Sequence, residues 1–273
     1  MSKLYLVGTP IGNLSDLSPR AIETLQTVDF IAAEDTRVTL KLLNHFEISK
    51  PMVSYYQHNM RERGEIIVNR ILSGESCALV TDAGMPAISD PGEDLVRLCA
   101  ETGIEVVSVP GPSAAITALA LSALPTGRFC FEGFLSVNKN ERRNHLKSLE
   151  GEQRTMIFYE APHKLNNTLK DLCAAFGEER KISLCRELTK LHEEAFRTTL
   201  GEAVKYYAEN APRGEFVLVI EGAAEQECPE MSLDEAVEAA RKLMAEGQSA
   251  SSAARQAAAL SGLKKNEIYR LLQ

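Results

Sequence analysis

The amino-acid sequence predicts an α/β protein of two sheet-containing units followed by a small helical one. Three observations carry that reading. Short apolar runs such as LYLV and CALV end at loops rich in glycine and proline and alternate with helical stretches. A second series of such runs begins after Leu124, and the tail from Ser232 is alanine-rich, helical in period and without strand signals. A chain of 273 residues is also at the size where a single core stops growing, so more than one domain is expected.

Residues 4–8 read as a strand ending in glycine, and after the TPIGNLSD loop Ser18 is placed to cap, and Pro19 to open, a helix. Residues 30–35 read as a second buried strand that delivers Glu34, Asp35, Thr36 and Arg37 to a loop. Residues 76–92 repeat the scheme, with a strand to Val80, an irregular loop, and a helix from about Glu93 to Thr102; residues 104–124 do so again. Strands that are apolar throughout imply a parallel sheet covered on both faces. Ligands bind such sheets at the carboxyl ends of the strands, so these loops should converge on one cleft.

Beyond Leu124, residues 128–135, 155–162, 181–188 and 215–222 read as strands and residues 163–177 as a helix. The polar, proline-bearing stretch 224–232 reads as a linker. Ser232 and Glu235 form a capping box for a helix to about Ala245, after which helix, SGL turn and helix match a helix-turn-helix. The boundaries fall at 1–112 and 113–227 for the two α/β domains and 228–273 for the helical one.

Composition narrows the function. With 30 basic and 38 acidic residues the net charge is −8, so any nucleic-acid contact must use a local basic patch. No apolar run approaches the roughly 20 residues of a membrane span, and the N-terminus has no secretory signal, so a cytoplasmic protein without a membrane partner is expected. The six cysteines form no CxxC pair, which gives neither a zinc ribbon nor a disulfide framework, and no metal site is expected. Cys77, Cys99, Cys130, Cys173 and Cys185 lie in or beside apolar stretches and read as reduced thiols in or near a core.

The first loop, VGTPIGNLSD, lacks GxGxxG spacing and has no Gly-Lys-Ser/Thr, which disfavours nicotinamide and nucleoside-triphosphate enzymes. Its Pro10 and Gly12 still let bare backbone approach a ligand. In the second, TDAGMPAISDPG, two prolines and two glycines make a rigid rim. Asp82, directly beyond the strand, reads as functional, and Asp90, before Pro91 and Gly92, as a capping residue. In the third, Ser113 precedes a helix whose free N–H groups form a polar ledge, and Ala114, Ala115 and Ala118 leave space for a flat heterocycle.

Together VGTPIGNLSD, VTDAGMPAISDPG and VPGPSAAITALALSALP, then FEGFL, FYEAPHKL and GEFVLVIEG, resemble the S-adenosylmethionine-dependent tetrapyrrole methylase family over essentially the whole chain. AEDTR, YYQHN and EAPHK are similar to the branch that methylates the ribose 2'-hydroxyl of a cytidine in the decoding region of small-subunit (16S) ribosomal RNA. The resemblance implies two α/β domains of the tetrapyrrole methylase type with the cofactor, S-adenosylmethionine, in the cleft between them, commonly as a homodimer. It implies small-subunit ribosomal RNA as partner, within an assembled small ribosomal subunit. Carried over by motif, Pro10, Asp82, Met85, Ser113 and Ala114 surround the cofactor, while Tyr159 and Phe216 close the other side. Tetrapyrrole-specific members have a glycine-richer first loop ending in aspartate where this chain has Asn13, which counts against a tetrapyrrole substrate.

Methyl transfer from a sulfonium is an in-line displacement governed by positioning, and a ribose hydroxyl is a poor nucleophile that calls for a base. Glu34, Asp35, His58, Glu160 and His163 are candidates on loops near the cleft, and none stands out. Arg37 and Arg186 are suited to bidentate phosphate contacts. Residues 136–147 read as a mobile loop whose Lys139, Arg142, Arg143 and Lys147 face one acid, Glu141. With Lys264, Lys265 and Arg270 of the helical tail they offer a backbone-binding surface for RNA. Two other readings remain open: a methyltransferase for a tetrapyrrole or other small molecule, and a non-catalytic RNA-binding protein that kept the fold.

Overall fold

The computed structural model describes residues 2–224 and 231–272. It divides into two compact units, Met1–Ala223 and Ala224–Gln273. Most of the linker expected at 224–232, and Cys228 with it, lies outside the described residues.

The first unit opens with β1 (Leu4–Val7), α1 (Pro19–Thr27), β2 (Phe30–Ala33), α2 (Thr36–His45), β3 (Met52–Ser54), α3 (Met60–Leu72), β4 (Cys77–Val80), α4 (Glu93–Glu101) and β5 (Val106–Val109). Ser18 caps α1 by accepting from the Ala21 N–H, with Pro19 at the first helical position as expected. The strands form one sheet in the order β3-β2-β4-β1-β5, parallel throughout. Side chains alternate across it with period two. Leu4, Phe30, Ala32, Cys77 and Leu79 pack with Ile67, Ile71 and Leu95 of α3 and α4, while Val7, Ile31, Ala33, Ala78 and Val80 pack with Ala21, Leu25 and Leu43 of α1 and α2. Both faces are covered, which is why these strands are apolar throughout.

The chain then crosses through α5 (Ala114–Leu121) to β6 (Phe129–Phe134), α6 (Lys139–Ser148), β7 (Thr155–Glu160), α7 (Leu165–Phe176), β8 (Lys181–Arg186), β9 (Glu194–Thr199), α8 (Leu200–Glu209) and β10 (Phe216–Ile220). The second sheet, β6-β7-β10-β8-β9, is mixed: β6 and β7 are parallel, and the other neighbours antiparallel. One face packs on α7 and α8 through Leu165, Leu169, Leu172, Leu200 and Ala203. The other receives α5, whose Ala115, Ala118 and Leu119 meet Ile157, Val217 and Val219. Small residues on α5 let its backbone come close to the sheet.

Residues 136–147, expected to be a mobile loop, instead carry helix α6. Asn138 Oδ1 caps it by accepting from the Asn140 and Glu141 N–H groups at 3.0 and 3.4 Å, and Leu146 anchors it in the core of the second sheet.

The second unit is a three-helix cluster, α9 (Leu233–Ala245), α10 (Ala250–Ser261) and α11 (Lys265–Leu272). The Ser232–Glu235 capping box is present. Its core is built from Ala236, Ala240, Ala253, Ala254, Ala257 and Ile268, so three helices pack closely around small side chains. No helix among the described residues is long and apolar enough to cross a membrane.

Candidate active site

The tips of β1, β4 and β5 are locked to one another. Thr9 and Gly84 exchange backbone hydrogen bonds of 2.9 and 3.1 Å, Gly8 N–H donates to the Val109 carbonyl at 3.1 Å, and the Thr9 hydroxyl donates to the Thr81 carbonyl at 3.1 Å. A Cβ on Gly8 would lie 2.7 Å from both the Gly111 Cα and the Met85 Sδ, so all three loops meet at a point where only glycine fits. In the second loop Ala87 and Ser89, neither of them glycine, hold φ of 69° and 64°. Backbone strain of this kind concentrates at functional sites.

These tips form one wall of a cavity of about 490 Å³, within the roughly 300–1,000 Å³ that small-molecule and cofactor sites occupy. Ile11, Ala83–Met85, Ile88–Asp90, Ser113 and Ala114 line that wall, and Phe134, Tyr159–His163, Leu188, Lys190 and Glu215–Val217 line the facing one. The Tyr159 hydroxyl accepts from the Ala115 N–H at 3.2 Å, tying the start of α5 to β7. Ser113 is the N-cap residue of α5 but makes no capping bond, so its hydroxyl stays uncommitted at the helix start.

A bulge shapes the facing wall. Between Phe131 and Gly133 the register of β6 against β7 slips by one residue, and Gly133 sits at a φ of 63°. Residues three apart therefore reach the same ring: Phe131 and Phe134 pack edge-on against Tyr159 at centroid distances of 5.0 and 5.5 Å.

Acidic groups gather at the tips of β2 and β4. Burial, with Glu34 nearby, pushes the Asp90 carboxyl up to about 6, and the same two causes raise Asp82. Glu34 accepts from the Thr81 hydroxyl at 2.5 Å, and Asp82 accepts from the Asp35 N–H at 3.1 Å. Asp35 caps α2 and pairs with Arg37 at 2.6 Å, which holds its carboxyl down at about 2. The cavity wall thus carries a desolvated acid suited to a cationic ligand group.

Of the residues expected to surround a cofactor, Met85, Ser113, Ala114, Tyr159 and Phe216 line this cavity. Pro10 and Asp82 do not: Pro10 follows the Thr9–Gly84 bridge, and Asp82 turns to β2. Among the base candidates Glu160 and His163 line it, while Glu34 lines an adjoining recess of about 390 Å³. His58 and the Asp35–Arg37 pair stand outside both. Glu160 is buried, with its oxygens taken by the Ala161 N–H at 2.8 Å and by the Thr168 hydroxyl. Arg186 pairs with Glu194 across β8 and β9 at 2.8 Å, and Arg142 with Asp171 at 2.6 Å. Arg143, Lys264 and Arg270 are exposed, and Lys265 donates to Ser251 at 3.1 Å.

Four charged or aromatic wall residues are not among the site residues to which the sequence points. Asp90 reads in the sequence as a capping residue, but the N-cap of α4 is Gly92, with no side-chain cap, and Asp90 lines the cavity instead. Phe134 is placed by the bulge, for which Gly133 in an otherwise aromatic run was the available signal. Lys190, held 3.0 Å from both Glu187 and Glu215, lies on a loop with no motif. Glu215 precedes an apolar strand and looks like ordinary punctuation.

Comparison with known proteins follows the same outline. The family model for Tetrapyrrole (Corrin/Porphyrin) Methylases matches residues 3–204, and a model described as RsmI C-terminal HTH domain matches residues 231–273. A Ribosomal RNA small subunit methyltransferase I from Synechocystis sp. is 51% identical, covering 99% of this chain and 97% of that one. One from Escherichia coli O157:H7 is 46% identical, covering 98% and 93%. One from Thermotoga maritima is 48% identical over 81% of this chain and 99% of its own. Among solved structures, diphthine synthase superposes with a TM-score of 0.64 at 15% identity (81% of this chain, 90% of that one), and a cobalt precorrin-4 methyltransferase with 0.60 at 18% (80% and 94%). At those identities the likeness is one of fold.

Proposed function

This chain belongs to the tetrapyrrole methylase family, and from that premise we propose that it transfers a methyl group from S-adenosylmethionine to the ribose 2'-hydroxyl of a cytidine in the decoding region of 16S ribosomal RNA. The observation that carries the proposal is the match, along nearly the whole chain and including its tail, to relatives named Ribosomal RNA small subunit methyltransferase I.

The cavity fits the cofactor in size and in chemistry. Ala114 and Gly84 leave room for a flat ring, the uncommitted Ser113 hydroxyl and the loop backbone offer polar contacts, and Asp90 supplies a negative charge when ionised. S-adenosylmethionine, when bound, supplies a methyl carbon on a positively charged sulfur. Tyr159 and Phe216 cover one side and exclude water, with Met85 opposite. Pro10 and Asp82 act one step back, by fixing the loops that shape the cavity. His163, exposed and on the cavity wall, is our candidate for the base that takes the hydroxyl proton. Glu160 fixes the corner between β7 and α7 from which His163 projects, so it positions the base. Glu34 borders the recess next door, and Asp35 with Arg37 forms an ion pair that stands ready for RNA. The exposed Arg143, with Lys264, Lys265 and Arg270, contacts RNA backbone.

The substrate in this reading is RNA within an assembled small ribosomal subunit, in the cytoplasm, and the enzyme works as a homodimer. Small subunits purified from cells lacking the modification, incubated with methyl-labelled cofactor and digested to nucleosides, test it. Label on a ribose 2'-oxygen of cytidine is expected. Label on a base, or transfer to a tetrapyrrole without RNA, overturns the proposal.

A further inference from the structure

Beside the cofactor cavity, α6 and α7 enclose a larger groove, about 970 Å³ in volume. We infer that this groove is the track along which RNA backbone reaches the cleft, and that Phe134 at its inner end is the surface on which a base stacks. The inference rests on the RNA-methylating reading above and goes beyond it in assigning the path.

The charged residues that line the groove are mostly cations. Lys139, Arg143 and Lys147 come from α6, and Lys164 and Lys170 from the α7 side; none of the five has an ion-pair partner among the described residues. Against them stand two acids, Glu150 and Asp171, and Asp171 is already neutralised by Arg142. In a chain with a net charge of −8, uncompensated cations facing each other across one concavity attract a polyanion. Arg142 is the strut of this groove: its guanidinium bonds to Asp171 at 2.6 Å and to the Thr168 hydroxyl at 2.9 Å, and Thr168 donates in turn to Glu160. It holds α6 to α7, while the exposed cations around it remain available.

The groove is also continuous with the cleft. Two separate connections each have one end in the cleft and the other in the groove. Phe134 lines the cleft and Leu135–Val137 line the groove; residues 159–163 line the cleft and Lys164 the groove. A strand lying along the cations is therefore led to the methyl-donor cavity on both walls. At that junction Phe134 is 57% exposed, with its edge against Tyr159. An aromatic ring fixed on one side and open on the other is what an unstacked base needs.

The test compares four variants with wild type: a charge-reversed groove (Lys139→Glu, Arg143→Glu, Lys170→Glu), the same positions changed to Gln, Phe134→Ala, and Phe134→Tyr as its conservative control. Binding of a fluorescent single-stranded RNA and of small ribosomal subunits is measured across salt concentrations, separately from methyl transfer and from calorimetry with S-adenosylmethionine. We expect both groove variants to weaken RNA binding at least tenfold and to flatten the slope of log affinity against log salt by about three, roughly one per cation removed, with cofactor affinity and melting temperature unchanged. Phe134→Ala should keep the salt slope and lose roughly tenfold to hundredfold in kcat/KM, and Phe134→Tyr should restore it. Groove variants that fold and keep wild-type RNA affinity and salt slope overturn the inference, even if wild type methylates ribosomal RNA. Loss of binding in those variants supports the groove even if the wild-type chain places no methyl on ribose, an outcome that would sink the proposed function alone.

Discussion

Asp90 lies in the cavity wall with its carboxyl pushed up to about 6 by burial and by Glu34. The unfolded chain releases that proton near pH 4, so between about pH 4 and 6 rising pH costs stability at this residue. A cationic ligand favours the ionised form. Affinity for S-adenosylmethionine should therefore tighten several-fold as pH rises through about 6, and Asp90→Asn should flatten the dependence while leaving the protein folded. Calorimetry between pH 5 and 7.5 checks this, and a flat wild-type curve contradicts it. Glu160 makes a different prediction. Because both its oxygens are engaged inside the protein, Glu160→Gln should cost about 1–3 kcal/mol in denaturant unfolding and leave the pH profile of methyl transfer in place. Motif resemblance singled out Met85, Ser113, Ala114, Tyr159 and Phe216, which line the cavity, because each stands in a stretch whose residue order is distinctive. It could not find Asp90 or Lys190, whose positions depend on how strained or motif-free loops turn in space.

Among the elements, the crossing of the three strand tips is the most constrained. At Gly111 a Cβ would lie 2.8 Å from the Gly8 carbonyl oxygen, backbone against backbone, with no flexible side chain to give way. Gly111→Ala should destabilise the protein by about 1–3 kcal/mol and weaken cofactor binding at least tenfold, since relief of the clash moves the wall of the cavity. Thermal melting with calorimetry reads both; an unchanged cofactor affinity would show that the tips do not shape the site. The first sheet could be read from the sequence because burial on both faces leaves only apolar residues in β1, β2 and β4. The second could be read only in part. Its edge strand β9, EAFRTT, has no buried residue, so it carries no run to recognise. Helix α6 was hidden by its charge: only Leu146 of its ten residues is buried, and a capping Asn138 among lysines and arginines resembles a loop.

At the scale of the whole molecule, charge is unevenly shared. With a net charge of −8, the RNA binding proposed above depends on local cations, and those of α6 and α7 line one groove. The tail folds around its own alanine core and forms a compact unit by itself. Removing residues 232–273 should thus leave S-adenosylmethionine affinity within twofold of wild type and weaken engagement of small subunits at least tenfold, as binding titrations would show. Equal loss of both would mean the tail supports the cofactor site as well. The helix-turn-helix pattern was apparent in the sequence because capping box, alanine period and glycine turn all act locally.

In the proposed function, three glycine- and proline-shaped strand tips and the facing β7–β10 wall form the pocket for the methyl donor. A crystal structure with S-adenosylmethionine tests it most directly. The donor is expected between Ser113–Ala114 and Tyr159–Phe216, its sulfur on the Asp90 side and its methyl turned toward the Phe134 end of the cleft. A donor bound in another cavity, or with its methyl facing away from that opening, would contradict it.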